Sequence, residues 1–68
     1  MNFSSFELSM ILIMVTEKVL RLKMDLLSLE HDKKYIIVDE FNKKKREYTI
    51  TLEYTENLKN KIEKMLEE

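Results

Sequence analysis

The single histidine, His31, stands in the tripeptide Glu30-His31-Asp32, and the acidic pairs Asp39-Glu40 and Glu67-Glu68 are the nearest the chain comes to paired acid–base groups. An imidazole beside carboxylates is the raw material of a general base or a metal ligand. Residues adjacent in sequence do not share a helix face, however, and adjacent residues on a strand point to opposite sides. None of these groups therefore converges on one reacting atom by spacing alone, and no second histidine completes a metal site. His31 reads as a solvent-facing residue favoured at a helix C-terminus by the dipole. The carboxylate pairs read as groups that keep an edge strand and a tail soluble.

Nucleophiles are equally scarce. There is no cysteine, and Ser4, Ser5, Ser9 and Ser28 have no base motif nearby. The absence of glycine excludes a Walker loop and a dinucleotide fingerprint, whose backbone must approach phosphate where a Cβ would intrude. The expectation is a protein that is not an enzyme and takes neither cofactor nor metal.

One charge cluster remains. Lys43, Lys44, Lys45 and Arg46 place four positive charges in succession, with Lys33 and Lys34 upstream. Such a group can contact phosphates, but Asp39, Glu40 and Glu47 flank it and no aromatic residues are interleaved for base stacking. The plainer reading is a solvated loop that resists edge aggregation. An acidic protein partner is a third possibility.

The 68 residues suffice for one small domain, 1–68, in which hydrophobic gain and chain entropy nearly cancel. Disulfides and metals are excluded as reinforcement, which leaves self-association. With a net charge of −1, no global field draws the chain to nucleic acid or membrane. The longest uncharged stretch, Leu8 to Thr16, is nine residues, well short of the ~20 a membrane helix needs. No export signal is visible, and a cytoplasmic location is expected. Gly, Pro and Ala, whose codons are GC-rich, are all missing, as expected of an AT-rich genome such as that of a low-GC bacterium, its phages or mobile elements.

The elements follow from periodicity. Leu8, Leu12, Val15, Val19, Leu22, Leu26 and Leu29 recur alternately four and three apart, which predicts a helix from Ser5 to about His31 with one unbroken apolar seam. Ser4 or Ser5 would cap it, with Glu7 in the first turn. Ile13, Leu20 and Leu27 form a second column, separated from the first by Ser9, Thr16, Lys23 and Glu30. Met10 to Val15 has an alternative reading as a buried strand. Met10, Met14, Met24 and Met65 can be read as an adaptable recognition surface, but core filling is the plainer account because Met10 and Met14 lie in the most apolar part of the chain. Met24, between Lys23 and Asp25, is the better candidate for a partner contact.

Beyond Lys33 the period changes to two. Tyr35, Ile37 and Phe41 alternate with Ile36 and Val38, which predicts a strand from about Lys34 to Phe41. Tyr48, Ile50, Leu52 and Tyr54 alternate with Glu47, Thr49, Thr51 and Glu53, predicting a second strand, with Asn42 to Arg46 as the loop between them. Thr55 then caps a short amphipathic helix carrying Leu58, Ile62, Met65 and Leu66 on one face, and Lys59, Lys61, Glu63, Lys64 and Glu67 on the other.

The resulting expectation is an α+β fold: a long N-terminal helix, a two-stranded antiparallel hairpin and a short C-terminal helix, assembled as a homodimer. The seam covers the protomer's own elements, and Ile13, Leu20 and Leu27 meet the twin. The expected function is a protein-binding adaptor or inhibitor, of phage or mobile-element origin, that occupies a host macromolecule. The alternative is a small nucleic-acid-binding transcriptional regulator working through Lys43, Lys44, Lys45 and Arg46. Met24 and that basic group are the candidate partner-binding residues.

Overall fold

The computed structural model describes residues 3–68 as an antiparallel helical hairpin. Helix α1 spans Ser5–His31 and helix α2 spans Val38–Glu67, joined by a 3-10 turn at Lys33–Tyr35. Its extents of 46 × 15 × 15 Å match two helices side by side, since α2 has 30 residues and each adds about 1.5 Å.

Helix α1 begins where the sequence supplies a complete capping box. Ser4 Oγ accepts from the Glu7 backbone N–H at 3.1 Å, and the Ser4 N–H donates back to Glu7 Oε1 at 3.0 Å. Two of the helix's free N-terminal donors are thereby satisfied. These hydrogen bonds favour the ionised form of Glu7 and hold its pKa below the usual carboxylate value, the backbone bond from Ser4 contributing most.

From this start the seven-residue repeat determines which face is covered. Leu8, Val15, Val19, Leu22 and Leu29 are buried against α2, with Leu12 and Leu26 half-buried between them. The chain then reverses without glycine: among the described residues no φ is positive and no peptide bond is cis. Asp32 N–H donates to Ser28 O at 3.0 Å and Tyr35 N–H to Asp32 O at 2.9 Å, which closes α1. Ile36 and Ile37 are extended, and Phe41 N–H donating to Ile37 O at 2.9 Å opens α2. Asp39 and Glu40 lie in that first turn, where the helix dipole favours carboxylates.

The α+β expectation is overturned, because no strand occurs among the described residues and α2 occupies the segment assigned to hairpin and short helix. The loop Asn42–Arg46 is helical. So is the strand 47–54, while 34–41 divides between the turn and the start of α2. Thr55 is not a cap but an internal residue of α2.

The reason lies in a competing pattern. Phe41, Lys45, Tyr48, Leu52, Thr55, Lys59, Ile62 and Leu66 are also spaced four and three apart. Phe41 and Ile62 are buried, and Tyr48, Leu52, Thr55, Lys59 and Leu66 half-buried. Lys59, expected on the outer face, therefore lies along the seam, while Leu58 and Met65, expected inside, are exposed. An isolated two-stranded hairpin is at best marginal in water, whereas this helix runs the full length of the α1 seam.

Threonine and tyrosine made the alternation look strand-like, but the threonine hydroxyls are accommodated by the helix. Thr49, Thr51 and Thr55 each donate to the carbonyl four residues back, at 2.7, 2.8 and 2.6 Å. No glycine or proline interrupts the segment, and the basic residues are good helix formers.

Candidate functional site

Helix geometry leaves a second face of α1 uncovered. Each residue advances about 100° around the axis, so Ile13, Leu20 and Leu27 project roughly 130° away from the α2-facing seam. All three are exposed, as are Phe6, Met10 and Met24. Placed in order, Phe6, Met10, Ile13, Glu17, Leu20, Met24 and Leu27 form a second run spaced four and three apart, in which Glu17 is the one charged member. Exposures run from 50% at Met10 to 73% at Phe6, an extent usual for polar residues rather than large apolar ones.

The column Ile13, Leu20 and Leu27 was visible from sequence, and Met24 joins it. Phe6 has no place in the sequence reading, which prefers the core to a recognition surface for Met10. Their spacing relative to Ile13 was the available signal, but Met10 and Met14 lie in the most apolar part of the chain and were assigned to the core. Both are exposed instead, Met14 off to one side near Lys18 and Arg21.

The basic residues do not act as one patch. Successive 100° steps spread Lys43, Lys44, Lys45 and Arg46 around α2, so they cannot all face the same ligand. Lys45 turns toward α1, where its Nζ lies 3.0 Å from Glu30 Oε1 and 5.8 Å from the Phe41 ring centre. Lys33 approaches the same ring at 5.3 Å. Lys43 and Arg46 line a shallow cleft with Asn42 and Glu47, whose carboxylate offsets part of their charge.

At the turn, Lys33, Ile36, Val38, Phe41, Asn42 and Lys45 line a cleft of about 340 Å³ that contains no carboxylate, histidine or hydroxyl. It holds no acid–base pair. His31 Nδ1 sits 3.4 Å from Asp32 Oδ1, with both side chains well exposed. Among the described residues no group of three His, Cys, Asp or Glu is placed to hold a metal ion, and no helix is long and apolar enough to cross a membrane.

Comparison with protein-family models, with curated proteins and with solved structures finds no match. The outer face of α1 is the candidate site on physical grounds: an apolar strip interrupted at Glu17, along a helix whose opposite side is already covered.

Proposed function

We propose that the chain is a non-catalytic protein-binding module, an adaptor or inhibitor, whose working surface is the outer face of α1. The observation that carries this reading is the exposure of Phe6, Met10, Ile13, Leu20, Met24 and Leu27 in one line on one helix. Contiguous exposed apolar area beyond a few hundred Å² marks an interaction surface on small proteins, because leaving it in water forfeits about 25 cal/mol per Å². Scattered apolar residues would carry no such meaning. Here the four-and-three spacing gives the ridge a facing helix can accept.

The nucleic-acid reading draws less support. Lys45 is paired with Glu30, and Lys43 and Arg46, which share one cleft, have the Glu47 carboxylate beside them. Three baits from the native host separate the two: the natural chain, Leu20→Glu, and Lys43→Glu with Arg46→Glu. A protein held by the natural chain and the basic-residue variant but released by Leu20→Glu is the expected result. Nucleic acid retained by Leu20→Glu and lost on basic-residue reversal would overturn the reading.

A further inference from the structure

From the same face, and resting on its being a docking surface, we infer that its occupant is a second copy of this chain, packed α1 against α1 in antiparallel order. Three observations point there. The first is area. At roughly 200 Å² for a large apolar residue, the six exposed side chains leave on the order of 750 Å² open on each copy, close to the ~800 Å² per partner of a standard stable interface.

The second is periodicity. A run spaced four and three apart along the whole helix is what knobs-into-holes packing of one helix on its like requires. A two-fold axis matches such a run to itself, and closed two-fold dimers are the commonest soluble assemblies.

The third is charge, which also selects the orientation. In a parallel, in-register pair Glu17 would face Glu17 of the second copy inside the seam. Antiparallel packing offsets the two Glu17 side chains by three residues, about 4.5 Å along the axis, so they occupy adjacent layers rather than the same one. With Met10 opposite Leu27 of the second copy and Ile13 opposite its Met24, Glu17 falls opposite Leu20 and one residue from the level of Arg21. Arg21 is thus the opposite charge nearest the one carboxylate in the strip. Along the flanks Glu7 meets Ser28, Ser9 meets Glu30, Met14 meets Arg21 and Thr16 meets Lys23, so no like charges oppose one another. The two helix dipoles also run in opposite directions.

The chain has no cysteine, which makes thiol cross-linking a clean test. Ile13→Cys and Met24→Cys are prepared separately, then mixed and treated with a short thiol-to-thiol linker. In the proposed order the mixture links, and neither variant links to itself, because like positions lie about 16 Å apart along the axis. Leu20→Glu in both partners should weaken association at least about tenfold and abolish linking. Glu17→Leu should tighten it.

Efficient linking of either cysteine variant alone overturns the antiparallel order. A helical chain that sediments as a monomer at high micromolar concentration overturns the second copy as occupant. In that event the docking reading is judged separately, by whether Leu20→Glu still releases a captured protein; if it releases none, that reading fails too.

Discussion

Lys45 Nζ lies 3.0 Å from Glu30 Oε1, joining α2 to α1 near the closed end of the hairpin. Lys45 stands four residues after Phe41 and three before Tyr48, so it occupies a position where the α2 repeat would otherwise place an apolar residue. Its stem can cover the Phe41 ring while its ammonium reaches Glu30. Both side chains remain about half exposed, so the pair is screened and contributes only about 0.5 kcal/mol.

Reversing that charge gives the first prediction. Lys45→Glu sets a carboxylate beside Glu30 and should lower the urea midpoint by an amount corresponding to about 1 kcal/mol, more at low salt than at high. Lys45→Leu should match or exceed the natural chain, because it extends the seam from Phe41 to Tyr48. If the leucine variant were less stable than the glutamate variant, Lys45 would not lie along the helix interface.

The N-terminal cap gives the second prediction. Glu7 has a lower pKa in the folded chain than an unperturbed carboxylate has. The stability it contributes is complete above the unfolded value, roughly pH 4.3, and is lost as pH falls through the lower folded value. Thermal unfolding followed between about pH 6 and pH 3 should show an acid-side loss that Glu7→Gln diminishes. Ser4→Ala should cost about 1 kcal/mol at neutral pH and also reduce the acid-side slope. An unchanged slope in both variants would mean the box does not form in solution.

The third prediction contrasts the two faces of α1. Leu22 is 3% exposed and Ile62 is 4% exposed, so truncating either to alanine should cost about 2–4 kcal/mol and unfold much of so small a hairpin. Leu20→Ala should leave the hairpin's own packing almost untouched, since Leu20 is 57% exposed. Dilution separates the effects: circular dichroism of Leu22→Ala should fall at every concentration, whereas any change in Leu20→Ala should depend on concentration.

These contrasts also show how much was legible in advance. The α1 seam could be read because Leu8 through Leu29 holds its repeat without a polar residue, and one uninterrupted period admits one geometry. The α2 seam could not, because Lys45, Thr55 and Lys59 take seam positions and break the apolar signal. What remained was Tyr48, Ile50, Leu52 and Tyr54, a true alternation with strand-favouring residues. In the helix Tyr48 and Leu52 turn toward α1, whereas Ile50 and Tyr54 are exposed. Local preference yielded to the long partner face that α1 offered. The outer column was legible at Ile13, Leu20 and Leu27, but its extension to Phe6 and Met10 required knowing that only one side of α1 is covered.

The last prediction tests the overturned segment directly. Lys44 is exposed within α2, so a proline there removes one intrahelical hydrogen bond and clashes with the carbonyl four residues back, at a cost of about 3 kcal/mol. Because the hairpin buries few side chains and shields none completely, that cost should remove most of its helicity at 25 °C. In a four- or five-residue loop between two strands the same substitution would be tolerated, since no helical hydrogen bond would be lost. Lys44→Ala is the control: alanine is the best helix former, so helicity should hold or rise. Circular dichroism of the two variants decides the matter. A proline variant as helical as the alanine variant would return Asn42–Arg46 to a loop and break α2 in two.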